Sequence, residues 1–229
     1  MPDSPQTGFL FDLDGTLVDS VYQHVLAWND ALQSEGIKLS VWRIHRKIGM
    51  SGGLFTNILL RESGLDITQE QLDRLRDAHA ECFAKYSGAI VPLPGARELI
   101  AYLKEAKIPW AIATSGRMLT ARGNIESLGI DIEKSAVVTR DQVRYAKPDP
   151  DLFIEAAHRI NVPIEHCYVV GDSIWDLLAA QRARALGIGV LSGGYGEDEL
   201  DRAGAYRVFE DPADLLKHID ELGGRRPEH

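Results

Sequence analysis

Six short apolar runs rich in β-forming residues punctuate the chain, at residues 9–13, 110–114, 136–139, 167–171, 187–191 and 206–209. They are near-continuous rather than alternating, the pattern of strands covered on both faces, as in a parallel sheet. Helical patterns lie between them. Residues 96–106 place Leu99, Ile100 and Leu103 at helical spacing, and residues 117–128, 149–160 and 174–185 do the same. Strand and helix in alternation predict βαβ units. The expected fold is therefore α/β, a doubly wound, mostly parallel sheet with a Rossmann-like core.

One stretch breaks the alternation. Between the first two runs, residues 20–35, 54–63 and 69–86 read as helices and no good strand occurs. Ser51-Gly52-Gly53 and Ser63-Gly64 separate them, and Thr68 with Gln71 fits a capping box. Pro92 and Pro94-Gly95 mark a boundary. Residues 20–91 are thus expected to form an inserted helical domain, with residues 1–19 and 92–229 as the core. The insert carries eight basic and eight acidic residues, so the rest of the chain holds the whole net charge of −9.

That charge excludes a function class. A protein that binds nucleic acid through phosphate contacts is normally basic, so no nucleic-acid partner is expected. The N-terminal "MPDSPQTG" has neither a basic nor an apolar region of a leader peptide. No apolar run approaches the roughly 20 residues that cross a bilayer, so no membrane partner is expected and the cytoplasm is the expected location. Cys82 and Cys167 are far apart and read as reduced structural thiols. The closing "GGRRPEH" reads as a disordered tail.

The ends of the runs carry the chemistry. "FDLDGT" places Asp12 and Asp14 just past the first run, where open α/β sheets bind ligands. Residues two apart on a strand share a face, so both carboxylates enter one place. There, one must take a proton or a cation must offset them. Gly15 suits a tight turn with backbone N–H groups open to an anion. A plain polar turn fits "DLDG" alone, whereas a calcium loop fits poorly because Thr16 and Gln23 stand where acidic ligands belong. "AIATSG" puts Thr114 and Ser115 after the second run, suited to phosphate oxygens or to a helix cap. "VVGDSIWD" puts Asp172 and Asp176 at a helix start, as ligands or as caps. Lys147 in "AKPDP" precedes another helix, where a solvated lysine is also at home. Four carboxylates, a hydroxyl pair and a lysine on loops after strands of one sheet point together to a Mg²⁺ site handling a phosphoryl group.

These motifs resemble the haloacid dehalogenase superfamily of phosphotransferases, in order and over nearly the whole chain. "FDLDGTLVDS" is similar to the first motif, Thr114 in "AIATSG" to the second, Lys147 in "AKPDP" to the third and "GDSIWD" to the fourth. The helical insert resembles the α-helical cap of the phosphoglycolate-phosphatase type. The resemblance implies that Asp12 is the nucleophile that forms an aspartyl-phosphate, and that Asp14 is the general acid, then the base. It implies Mg²⁺ held by Asp12, the backbone carbonyl of Asp14 and Asp172, with Asp176 orienting this shell or ligating through water. Thr114, Ser115 and Lys147 are then phosphate-binding residues. The family's dehalogenases lack an acid at the Asp14 position, and its phosphonate-cleaving branch usually replaces it too, so both are disfavoured.

The resemblance also places a cap loop opposite the carboxylates, here "HRKIGMSGG", residues 45–53. Gly49, Gly52 and Gly53 suit a closing lid. Gly49, Arg46 and Lys47 are candidate substrate-binding residues, with His45 beside them, although a helix end also favours such cations. The expected activity is hydrolysis of a small phosphate monoester. The alternatives are a phosphomutase like β-phosphoglucomutase, an inorganic pyrophosphatase, and a non-catalytic binding protein on the same fold. The mutases resembling the chain carry a basic residue where Gly52 stands, which counts against the first alternative.

Overall fold

The first apolar run forms β1 (Gly8–Phe11), and all four of its residues are buried. Phe9 and Phe11 enter one hydrophobic cluster and Leu10 enters another on the opposite face. Coverage of both faces explains why the run lacks polar alternation. The protein is described by a computed structural model over residues 7–64 and 68–224. Residues 1–6, and residues 225–229 of the tail 223–229 read above as disordered, lie outside the described residues, whereas Gly224 is ordered and its carbonyl accepts from Tyr102 Oη at 2.9 Å.

In chain order, β1 is followed by α1 (Val21–Ser34), α2 (Val41–His45), α3 (Gly52–Ser63), α4 (Gln69–Tyr86) and α5 (Ala96–Glu105). Then come β2 (Trp110–Ala113), α6 (Met118–Ser127), β3 (Val137–Val138), α7 (Asp151–Arg159) and β4 (Cys167–Gly171). The chain continues through α8 (Ile174–Ala183), β5 (Leu186–Val190), α9 (Glu197–Arg202), β6 (Ala205–Phe209) and α10 (Pro212–Lys217). Each of the six apolar runs is a strand, and each expected helix forms. The short helices α2, α9 and α10 are absent from the sequence reading, because five or six residues are too few to show a 3.6-residue period.

The strands form one sheet in the order β3-β2-β1-β4-β5-β6, with every neighbouring pair parallel. From β1 the chain builds outward on one side through β2 and β3, and on the other through β4 to β6. β1 is therefore the switch point where a crevice opens beyond the strand ends. Leu99, Ile100 and Leu103 of α5, Ile125 of α6 and Leu215 of α10 cover the Phe9 face. Leu152 and Phe153 of α7 and Ala179 and Ala180 of α8 cover the Leu10 face. Each buried Leu, Ile or Phe contributes about 1.5–3 kcal/mol, so this two-sided packing holds the sheet. Cys82 and Cys167 are both free thiols, and burial pushes the Cys167 thiol up to about 12.

Helices α1 to α4 fall between β1 and β2 and have a cluster of their own, centred on Trp28, Leu32, Ile44, Phe55 and Leu75. Thr68 caps α4 as its sequence predicts. Its Oγ1 accepts from the Gln71 N–H at 3.3 Å, and its own N–H donates to Gln71 Oε1 at 3.1 Å. The segments entering and leaving this helical insertion run side by side. The Asp19 N–H donates to the Val91 carbonyl and the Leu93 N–H to that of Leu17, both at 2.9 Å.

Candidate functional site

Asp12, Asp14, Thr114 and Asp172 reach the site just past the carboxyl ends of β1, β2 and β4, while Lys147 comes from the segment before α7. The Asp12 N–H still continues the ladder of β1, donating to the Val170 carbonyl at 2.9 Å, and the Thr114 N–H does so for β2 with Val138 at 3.0 Å. Asp172 directly follows β4, and Asp176 sits in the first turn of α8. Gly15 turns the chain after Asp14 with φ of +82°. A side chain there would stand 2.6 Å from Asp172 Oδ2, so only glycine allows this approach. Thr16 then donates to Asp172 Oδ1 at 3.0 Å, tying the loop after β1 to the loop after β4.

Asp12, Asp172 and Asp176 are buried, and each offers an oxygen within 4.8 Å of the others. Lys147, which the sequence left open as a solvated side chain, is fully buried among them. Its Nζ donates to Asp176 Oδ1 at 2.8 Å and forms a close ion pair with Asp12. Asp176 also caps α8. Its Oδ2 accepts from Ser173 Oγ at 2.5 Å and from the Ser173 N–H at 3.2 Å. Both readings of Asp176, as cap and as member of an acidic cluster, therefore hold in one residue.

The electrostatics follow from this packing. Burial and the neighbouring Asp176 and Asp14 push the Asp12 carboxyl up to about 7 against the pull of Lys147. Burial, Asp176 and Asp12 hold Asp172 well above the usual carboxylate range. Burial opposes the charge on Lys147, but Asp12 and Asp176 more than offset it and raise its pKa. With all three aspartates ionised, the one lysine would leave two negative charges, which a divalent cation would balance and which protons offset in its absence. A donor set made only of carboxylate oxygens suits a hard cation such as Mg²⁺.

Asp14 lies apart from that cluster. Its Oδ1 accepts from Ser20 Oγ at 2.6 Å, faces His24 Nε2 at 3.3 Å and accepts from Asn124 Nδ2 at 3.3 Å. Burial pushes Asp14 up, but His24 and Ser20 outweigh it and hold the carboxyl below its ordinary value. His24 Nδ1 lies 3.2 Å from Nε2 of His79 on α4.

A cavity of about 410 Å³ opens over these groups. Asp12, Asp14, Thr114, Ser115 and Lys147 line it, as do Lys47 and Gly49 of the expected cap loop. Thr114 Oγ1 accepts from the Gly116 N–H at 3.0 Å, while Ser115 Oγ is buried with no hydrogen-bond partner among the described residues. Arg46 does not fit the expected role. Its guanidinium forms a bidentate pair with Glu199 of α9, 3.2 Å on one arm, and lies 4.1 Å above the Tyr195 ring. Its carbonyl accepts from Tyr195 Oη at 3.0 Å and Trp175 Nε1 at 3.3 Å. The charge is committed to a core carboxylate, away from the cavity. His45 behaves similarly, with Nε2 2.9 Å from the Gly193 carbonyl oxygen.

Sequence reasoning missed His24, His79, Trp28 and Asn124. A signal exists for the two histidines. His24 stands beside the apolar stripe of Val21, Val25, Trp28 and Leu32, and His79 within that of Leu72, Leu75 and Phe83. A polar ring in an apolar stripe needs a partner.

Residues 7–184 match the model of a haloacid dehalogenase-like hydrolase family. The chain is 36% identical over 168 residues to hexitol phosphatase A of Escherichia coli, covering 72% of this chain and 74% of that protein. It is 31% identical over 215 residues to a phosphoglycolate phosphatase of Colwellia psychrerythraea, covering 90% of this chain and 94% of that one. The crystal structure of a hydrolase from Pseudomonas syringae superimposes with a TM-score of 0.93 at 57% identity, over 94% of this chain and 99% of that one.

Proposed function

The chain belongs to the haloacid dehalogenase-like hydrolase family, and from that premise we propose that it is a Mg²⁺-dependent phosphatase of a small phosphorylated metabolite. One observation carries the reading: Asp12 and Asp14 stand two residues apart at the end of β1, lining one cavity with Thr114, Ser115 and Lys147. The names of its relatives, a hexitol phosphatase and a phosphoglycolate phosphatase, support a phosphate monoester as substrate.

Asp12 attacks phosphorus, its carboxylate oxygen bonding as the ester oxygen leaves, to give an aspartyl-phosphate. With the negative phosphoryl group of a substrate beside it, Asp14 takes up a proton, gives it to the leaving alkoxide and then takes one from the water that hydrolyses the acyl phosphate. Lys147, Thr114 and Ser115 hold the transferring oxygens, where catalysis is mainly positioning and charge. Asp12, Asp172 and the Asp14 carbonyl would hold Mg²⁺, with Asp176 orienting them beside Lys147. When bound, the cation offsets the repulsion between carboxylates and phosphate. Helices α1 to α4 act as the cap over residues 20–91, and Lys47 and Gly49 face the substrate from it.

Turnover of a panel of phosphate esters tests the reading, including hexitol phosphates, 2-phosphoglycolate and 4-nitrophenyl phosphate, each with Mg²⁺ and with chelator. A kcat/KM that depends on Mg²⁺ and favours one alkyl ester is expected. No hydrolysis of any ester would refute it.

A further inference from the structure

We propose that Arg76, on cap helix α4, is a specificity-determining residue that binds an anionic group, a carboxylate or a second phosphate, on the leaving-group side of the substrate. The inference deepens the phosphatase reading and rests on it.

Residues 52 and 53 give the cavity a bare wall. Both are glycines that line it at the start of α3. A side chain at Gly52 would meet Trp28 alone, at an ordinary 3.6 Å. The backbone does not demand glycine at 53, because its φ lies outside the left-handed region. What Gly53 spares is room for Arg76. A Cβ there would begin 3.1 Å from Arg76 Nη2, and apart from adjacent backbone this guanidinium is the one group within 4 Å among the described residues.

The guanidinium is held in place. Nη1 donates to Asp73 Oδ1 at 2.8 Å, one helical turn back. The Arg76 side chain is 26% exposed and that of Asp73 57%. Water around Asp73 screens its charge, so the pair fixes the arginine without neutralising it. A planar fork fixed by one arm is pre-organised to take an oxyanion on the other.

The charge of the cavity agrees. Beyond Asp12, Asp14 and Lys147, its described lining carries Lys47, Arg76, Arg117 and Arg140 against Asp77 and Asp141. Asp141 is already engaged: Oδ2 accepts from the Met118 N–H at 2.8 Å and Oδ1 lies 3.9 Å from Arg117 Nε. A cationic excess at this one place, in a chain of net charge −9, favours an anion over a neutral polyol.

The test uses esters paired by skeleton, one member carrying a second anionic group and the other a hydroxyl. The pairs are 2-phosphoglycolate with 2-hydroxyethyl phosphate, 6-phosphogluconate with sorbitol 6-phosphate, and fructose 1,6-bisphosphate with fructose 6-phosphate. The parent should favour the charged member of at least one pair by on the order of 10-fold or more in kcat/KM, and the favoured pair tells carboxylate from phosphate. Arg76→Gln should remove most of that preference through a raised KM and cost the neutral member far less. Arg76→Lys, which keeps the charge and loses the fork, should fall between. Both variants should melt within a few degrees of the parent, since Arg76 and Asp73 form a surface pair, which separates a lost contact from a lost fold. A parent that prefers no charged member, a preference untouched in both variants, or equal losses on both members of a pair would overturn the proposal and leave the phosphatase reading standing. Hydrolysis of none of the six esters would overturn both.

Discussion

Asp12, Asp14 and Thr114 reach the cavity from loops just past strand ends, whereas Trp28, Phe55 and His79 reach it from helix faces of the insertion. On the first side, positions are set by backbone hydrogen bonds and by glycine turns too tight for any side chain. On the second, the helices share a core of their own and meet the sheet domain through side chains such as Arg46 with Glu199. The difference teaches how labour divides. The sheet edge holds charges that would repel without rigid support, and the insertion touches one of them, Asp14, through Ser20 and His24.

The largest test breaks the sheet side. Asp12→Asn should abolish turnover of every ester and yield no covalent adduct, while leaving the fold intact by circular dichroism. Asp14→Asn should cost about 10²–10⁴-fold on alkyl esters and markedly less on 4-nitrophenyl phosphate, as steady-state assays on both will show. Equal losses would remove the acid–base role.

A third test uses stability. The folded pKa of Asp12 lies above its unfolded value, at about 7 against 3.8, and Asp172 is shifted the same way. Between these values the folded state binds more protons than the unfolded one, so stability falls as pH rises. Without divalent cations, the melting temperature should drop from about pH 5 to pH 7, by about 2–4 °C for each kcal/mol lost in a protein of this size. Asp12→Asn should flatten that slope, and Mg²⁺ should restore the parent's melting temperature at pH 7 by binding the folded state alone. A parent whose melting temperature is level over this range would contradict the raised proton affinity of Asp12 and Asp172.

The smallest effect belongs to the join between the two regions. The Arg46–Glu199 pair is about one-third exposed on each side, and such pairs contribute about 0.2–1 kcal/mol. Arg46→Ala and Glu199→Gln should each raise KM a few-fold, with the metal requirement unchanged. A double variant no worse than either single one would show that the two act as a pair.

The same division explains what the sequence makes legible. Strand-end residues are readable because a short apolar run announces its own end, and the next polar residues must stand in the crevice. Asp12, Thr114 and Asp172 follow from that rule. Sheet order does not, since it depends on crossovers that leave no local mark. Lys147 was ambiguous for a similar reason: nothing in "AKPDP" tells that α7 and α8 bury it. Arg46 misled because its neighbours suit an anion, while the carboxylate that claims it lies 153 residues further on. His24 and His79 were hidden by distance as well, joined across two helices 55 residues apart.

The most direct test of the central claim is a search for the covalent intermediate. Parent and Asp14→Asn protein are mixed with 4-nitrophenyl phosphate and Mg²⁺, quenched in acid within a single turnover, digested and weighed by mass spectrometry. The account predicts a phosphoryl adduct on the peptide containing Asp12, more abundant in Asp14→Asn because its hydrolysis lacks a base. An adduct on another residue, or nitrophenolate released in stoichiometric amount with no adduct in either protein, would contradict it.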